Sequence, residues 1–242
     1  MSSVTTWLVV PAAGQGRRMG ADRPKQYLPL AGETMLARTL ERLHLALPDA
    51  RLALCLDEDD ARFTPEQVPF ARWQRVTGGA ERMDSVLNAL RSLPADDDDI
   101  VLVHDVARPC VMPADVGALA AAAHDSVDGA LLAMPVADTM KRATSGGDCA
   151  GTEPRDGLWH ALTPQGFRCG VLRRALEDAR AHGTLVTDEA SAVESLGGRP
   201  RLVSGRRDNL KVTHPDDLAL AAAVLASQEL PEHHAAAGTA NG

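Results

Sequence analysis

A chain of 242 residues with 45% hydrophobic content is long enough for one large α/β domain or two small ones, and too apolar to be mainly disordered. Aromatic residues make up only 3%, so Leu, Val and Ala supply the apolar volume, which suits helices on a buried sheet better than a β-sandwich built on aromatic pairs. A formal net charge of −8 excludes a surface made to neutralise a polyphosphate backbone; no nucleic-acid partner is expected, and any functional positive charge must be local.

The start, "MSSVTTWLVV", lacks the basic opening and long apolar run of a signal peptide, and no later segment approaches bilayer length. A cytoplasmic protein with no membrane partner is expected. "TWLVV" (6–10) predicts a buried strand, and "TMLARTLERLHLAL" (34–47) a helix with apolar residues at Met35, Leu36, Leu40, Leu43 and Leu47. "RLALCLD" (51–57) is the next strand, 81–93 a helix after "TGGA", and "DIVLVHD" (99–105) a strand entered from four solvated aspartates. "PADVGALAAAAHD" predicts a helix and "GALLAMPV" (129–136) a strand. This alternation predicts a doubly wound, mainly parallel, Rossmann-like α/β sheet.

Residues 138–164 break the rhythm, with two short segments around a Gly- and Ser-rich turn that predict a projecting β-arm. Such an arm rarely buries itself alone, and a partner subunit is its natural place. Helical pattern returns at "GVLRRALEDARAHG" and "TDEASAVESLG", short strands are expected at "RPRLVSG" and "NLKVT", and "HPDDLALAAAVLASQ" closes the folded unit. One domain over 1–229 is expected, with a frayed tail at 230–242 in which His233 and His234 are solvated rather than metal ligands. Cys55, Cys110, Cys149 and Cys169 form no CxxC pair and are expected to be reduced thiols.

The first strand runs into "VVPAAGQGRRMG" (9–20). A dinucleotide turn needs a third glycine where Met19 stands, and a GxxxxGK[ST] loop needs a Lys and a hydroxyl after Gly20; both templates fail. The chemistry is still that of a phosphate site. Ala12, Ala13, Gly14 and Gly16 let backbone N–H groups approach an anion, and Arg17, Arg18 and Lys25 reach over it. From spacing alone three classes remain: a nucleotidylyltransferase, an NAD(P)-binding oxidoreductase and a nucleotide-binding regulatory domain. Asp105, ending a predicted strand at its C-terminal edge, stands where doubly wound sheets place ligands. His104 beside it points to the opposite face and is expected to be structural.

"PAAGQGRRMGADRPKQYLPLAG" resembles the AxGxGxRM…PK signature of the nucleotidylyltransferases. "GGAERMDSV" (78–86), "VLVHDVARP" (101–109), "DTMKR" (138–142), "LWHALTPQGF" (158–167) with "TDEASAVE" (187–194), and "DNLKVTHPDDL" (208–218) together resemble the 2-C-methyl-D-erythritol 4-phosphate cytidylyltransferase family. The resemblance runs from about residue 6 to 226, with Ala80 and Val106 as small departures. The ribitol-5-phosphate cytidylyltransferase branch shares the first block and a related "HD..RP", and is the competing substrate reading.

This resemblance implies the substrates CTP and 2-C-methyl-D-erythritol 4-phosphate, the ion Mg²⁺, and a homodimer whose arms are exchanged. Residue by residue it implies Arg18, Lys25, Arg155 and Lys211 as the catalytic cations. Pro11, Ala12, Ala13, Gly14, Gly16, Arg17, Gly79, Ser85 and Asp105 would frame the nucleotide, and Arg108, Thr139, Arg155, Thr163, Thr187 and Lys211 the acceptor phosphate. A phosphate monoester is already largely dianionic near neutral pH, its second pKa being about 6, so the missing acid–base dyad is expected.

Overall fold

The computed structural model describes residues 4–14 and 23–229. Gly16, Arg17 and Arg18 of the glycine-rich loop, and the tail with His233 and His234, lie outside the described residues.

In chain order the strands are β1 (Thr6–Pro11), β2 (Pro29–Leu30), β3 (Glu33–Thr34), β4 (Arg51–Leu56), β5 (Trp73–Thr77), β6 (Ile100–Val103), β7 (Ala130–Pro135), β8 (Met140–Ala143), β9 (Cys149–Glu153), β10 (Trp159–Arg168) and β11 (Arg201–Ser204). The helices are α1 (Met35–Ala46), α2 (Arg82–Ser92), α3 (Pro113–Asp125), α4 (Cys169–His182), α5 (Glu189–Ser195) and α6 (Asp216–Glu229). Seven strands form one sheet in the order β11-β7-β10-β6-β1-β4-β5. All neighbours run parallel except β10, which is antiparallel to both β6 and β7. The mainly parallel α/β fold is the one predicted.

Alternation along the central strands divides the core in two, because successive side chains leave a strand on opposite faces. Leu8 and Val10 of β1 pack with Leu36, Leu40 and Leu43 of α1 and with Val116 and Leu119 of α3. Trp7 and Val9 pack on the other side with Val86, Leu87 and Leu90 of α2 and with Leu172 and Leu176 of α4. α1 begins where Thr34 accepts a hydrogen bond from the Ala37 N–H at 3.1 Å, and α4 stops at Gly183, whose φ of 64° suits a residue without a Cβ.

Besides the short β2–β3 pair, three regions differ from the sequence expectation. The arm is shorter than 138–164: β8 and β9 form an antiparallel hairpin, and from Trp159 the chain re-enters the main sheet as β10. A proline argues against a strand in mid-sheet, but Pro164 sits where the β10–β7 register shifts, between Ala161 and Gln165, so its missing N–H falls outside the regular ladder. β5 was missed because only Val76 in it is buried; it is an edge strand with a polar pattern. The strand expected at "NLKVT" does not form. Val212 donates its N–H to the Ala107 carbonyl at 2.8 Å, the Asn209 carbonyl accepts from Arg108 and the Asn209 side chain donates to the Thr163 carbonyl, so this segment is fastened to the loop after β6 and to β10 by single bonds rather than by a strand ladder.

Candidate active site

Four parallel strands end together, and the chain leaving them is tied back locally. Ala12 donates its N–H to the Cys55 carbonyl at 2.8 Å, Gly78 to Leu56 at 2.8 Å, and His104 to Val9 at 3.0 Å. These bonds hold the exits of β1, β4, β5 and β6 around a cleft of about 590 Å³ at their carboxyl ends, where parallel sheets place ligands. Its walls are small on two sides. Pro11, Ala12, Ala13 and Gly14 come from the β1 exit, and Gly79, Ala80 and Ser85 from the turn into α2. Gly78 is obligatory at this approach, since a Cβ there would lie 2.2 Å from the Cβ of Ala13.

The charged groups enter from separate elements. Lys25 opens a short 3₁₀ turn, Lys25–Tyr27, and lines the cleft beside buried Gln26, whose side-chain N–H donates to the Ala12 carbonyl at 2.7 Å. That bond couples the lysine turn to the β1 exit. Asp105 follows β6 and is 7% exposed; its Oδ2 accepts from Lys211 Nζ at 2.7 Å and its Oδ1 from Arg82 Nε at 2.8 Å. Burial acts to raise the Asp105 carboxyl, but the Arg82 and Lys211 cations outweigh it and hold the group well below the usual carboxylate range. Arg82 also clasps Glu189 in a bidentate pair at 2.6 and 3.0 Å. Despite burial, these two carboxylates hold the Arg82 guanidinium more firmly charged than usual.

Beneath the cleft lies a buried polar chain. Thr163 Oγ1 accepts the Asp105 N–H at 3.1 Å and lies 3.1 Å from His104 Nδ1, while His104 Nε2 lies 3.1 Å from the Arg108 carbonyl. The carbonyl can only accept, so Nε2 carries the proton and Nδ1 accepts from the Thr163 hydroxyl. Arg108 donates to the Asn209 carbonyl at 2.7 Å, and Asn209 donates to the Thr163 carbonyl at 2.9 Å. His104 is fully buried, and burial pushes its pKa down from 6.5 to about 4. The unfolded chain therefore takes up a proton that the fold refuses, and stability falls as pH drops from about 6.5 to 4. The expected loss attributable to His104 is roughly 3 kcal/mol, and His104→Gln should flatten that part of a urea-stability profile measured against pH.

The expected site residues thus divide into groups. Pro11, Ala12, Ala13, Gly14, Lys25, Gly79, Ser85, Asp105 and Lys211 share the cleft. Arg108 and Thr163 are buried below it, at 9% and 5% exposure. Thr139 is exposed next to β8, and Arg155, just past β9, donates to the Ala137 carbonyl; neither lines the cleft of its own chain. Thr187 is exposed beside a small hollow of about 90 Å³ that shares Glu81 and Arg82 with the main cleft. Sequence reasoning assigned no role to Arg82 or Glu189, although both lie inside quoted blocks; their pairing spans 107 positions and leaves no periodic signal. The Ser85 hydroxyl is engaged within its own loop, accepting from the Gly79 N–H at 2.9 Å and donating to the Glu81 carbonyl at 3.2 Å.

Among the described residues no group of three or more His, Cys, Asp or Glu converges as a metal cage. Asp57 and Asp105 are the aspartates on the cleft wall, and both oxygens of Asp105 are taken by cations. This donor set suits an ion carried in by phosphate oxygens and water rather than one caged by protein.

A small-residue cleft at the strand ends, flanked by two lysines, suits a nucleotide's phosphates, and the comparisons assign the class, a nucleotidyltransferase. Residues 6–227 match the family described as IspD, 2-C-methyl-D-erythritol 4-phosphate cytidylyltransferase, and the chain belongs to that family. A protein of that name from Chromohalobacter salexigens is 64% identical over 222 residues, covering 91% of this chain and 89% of its own. A crystal structure of a 4-diphosphocytidyl-2C-methyl-D-erythritol synthase superposes with a TM-score of 0.79 at 35% identity, covering 93% of this chain and 100% of the other. The Francisella tularensis 2-C-methyl-D-erythritol 4-phosphate cytidylyltransferase gives a TM-score of 0.78 at 32% identity, covering 91% and 99%.

Proposed function

We propose that this enzyme transfers the cytidylyl group of CTP to 2-C-methyl-D-erythritol 4-phosphate, releasing pyrophosphate and forming 4-diphosphocytidyl-2-C-methyl-D-erythritol for isoprenoid synthesis by the non-mevalonate route. The observation that carries this reading is the cleft itself, where Lys25 and Lys211 flank a floor of Pro11, Ala12, Ala13 and Gly14. A phosphate oxygen of the acceptor attacks the α-phosphorus of CTP, and the bond to the pyrophosphate oxygen breaks. The nucleophile needs no base, so the enzyme's work is to bring two polyanions together and to stabilise charge on the α-phosphate. Lys25 and Arg18 neutralise the triphosphate as pyrophosphate leaves, and Lys211 with Arg155 aims the acceptor phosphate. Gly79 and Ser85 frame the base, and Asp105 bonds the sugar. Mg²⁺ would enter with the triphosphate, with Asp105 and Asp57 as the nearby carboxylates able to hold its water shell, and would supply neutralisation of phosphate charge.

The hairpin β8–β9 is exposed along nearly its whole length, and Leu158 and Trp159 beside it are 43% and 39% exposed. A two-stranded hairpin in water is marginal by itself. In the proposed homodimer it lies against the partner subunit and carries Thr139 and Arg155 into the partner's cleft. Replacing residues 140–153 by a short Gly-Ser linker should give a folded monomer without transferase activity, to be checked by sedimentation and pyrophosphate release. A monomeric variant retaining full activity per chain would overturn the shared site. We place the enzyme in the cytoplasm, where reduced thiols such as exposed Cys149 persist; no helix among the described residues is long and apolar enough to cross a membrane.

A further inference from the structure

Glu189 touches no part of the main cleft, yet its side chain is 1% exposed and its carboxylate is bonded to Arg82. An ionised carboxylate taken out of water needs a close partner, and a bidentate guanidinium is the geometry that best meets this requirement. Arg82 is the first residue of α2 and Glu189 the first of α5, so the pair ties two helix starts together on the Arg82 side of the cleft. Each terminal nitrogen of Arg82 gives one of its two N–H groups to Glu189, and this bidentate hold fixes the guanidinium plane. The Nε–H in that plane meets Asp105 Oδ1 at 2.8 Å.

Asp105 is therefore shared between two cations, Arg82 on one oxygen and Lys211 on the other, with Arg108 Nε farther off at 3.9 Å. How its charge divides between them determines how firmly it holds Lys211. If Arg82 swung away, Lys211 would be left as the close cation on the carboxylate, which would hold the ammonium more tightly and make it less available to a ligand in the cleft. We propose that Glu189 is a positioning residue: acting through Arg82, it fixes the Asp105 carboxylate and so sets the place and availability of Lys211 for the acceptor phosphate. This rests on the transferase reading above and adds to it a residue outside the substrate cleft.

The test is a double-mutant cycle on the full-length enzyme, using pyrophosphate release from CTP and the acceptor phosphate. Glu189→Gln should lower kcat/KM roughly 10- to 100-fold, chiefly through kcat and the KM of the acceptor rather than that of CTP. In an Arg82→Met background the same change should alter activity less than about twofold, since its route to Asp105 is already gone. Equal losses in both backgrounds, or no loss in the first, would overturn the proposal. Arg82→Met alone leaves a buried charge unpaired and can fail to fold, so the apolar pair Arg82→Met/Glu189→Met is the control. It should unfold at about the wild-type temperature while remaining as inactive as the Gln variant or more so. Restored activity together with restored stability would mean the pair only holds the fold together. A ligand-free readout stands apart from the substrate assignment: the Arg82 Nε–H resonance in arginine-labelled protein should be slow to exchange in wild type and lost in Glu189→Gln. A resonance unchanged by Glu189→Gln would overturn the proposal even for an enzyme inactive with these substrates, whereas that inactivity alone would sink only the transferase reading.

Discussion

Lys25→Ala is expected to slow pyrophosphate release by about 30- to 1,000-fold, the kinetic equivalent of roughly 2–4 kcal/mol of transition-state stabilisation. Lys25 lines the cleft from a turn whose position is set elsewhere: Tyr27 donates its N–H to the Pro24 carbonyl at 3.0 Å, and Gln26 holds the Ala12 carbonyl. Removing the side chain past Cβ leaves these bonds in place, so the turn itself should persist. The loss should fall on kcat, because a cation that meets charge developing on the reacting phosphate acts more strongly in the transition state than in the ground state. Single-turnover rates at saturating CTP would check this. A variant with normal kcat and only a raised KM for CTP would reduce Lys25 to a binding residue.

The second large effect is expected at Gly78, where fold and site meet. An alanine there would place its Cβ 2.2 Å from the Cβ of Ala13, and 3.3 and 3.4 Å from Ser85 Oγ and the Leu56 carbonyl. Ala13 has no rotamer with which to escape, so the β1 exit and the turn into α2 must separate. Forced overpacking of this kind costs about 1–3 kcal/mol in stability. The functional cost should be larger, because both displaced segments form the floor on which the nucleotide is read to lie; KM for CTP should rise at least about tenfold. Ala13→Gly in the same chain vacates the space, and the double variant should recover most of the CTP affinity. Failure of that rescue, with the double variant folded, would show that Gly78 matters for something other than its approach to Ala13.

Much of the fold was legible in the sequence because its inner strands are continuous apolar runs. β1, β4, β6 and β7 are buried over almost their whole length, the pattern a parallel sheet covered on both faces imposes. Edge strand β5 carries no such pattern, and β10 is interrupted by Pro164 in the stretch where its register shifts. The expected strand at 209–213 failed for the complementary reason: Val212 is buried, but its N–H goes to Ala107 and Asn209 is held by Arg108, so the segment is a clasp across the loop after β6.

The site divides along the same line. Small residues next to a strand end, and a lysine after a proline, are local patterns, and Pro11, Ala12, Ala13, Gly14 and Lys25 do meet around one cleft. Asp105 was found from its place at the end of a predicted strand. What local pattern does not carry is the electrostatic arrangement that holds Asp105, since Arg82 and Lys211, and the Glu189 that holds Arg82, come from three separate parts of the chain. His104 was expected to be structural; it joins the Asp105–Arg108 loop to Thr163 through a neutral imidazole, a role visible only once β6 and β10 lie side by side.

The most direct test of the account is pyrophosphate release from the purified enzyme with Mg²⁺, each of CTP, UTP, ATP and GTP, and either 2-C-methyl-D-erythritol 4-phosphate or ribitol 5-phosphate as acceptor. Release confined to CTP with 2-C-methyl-D-erythritol 4-phosphate is the predicted result. Release with ribitol 5-phosphate alone, or with none of the pairs, would contradict it.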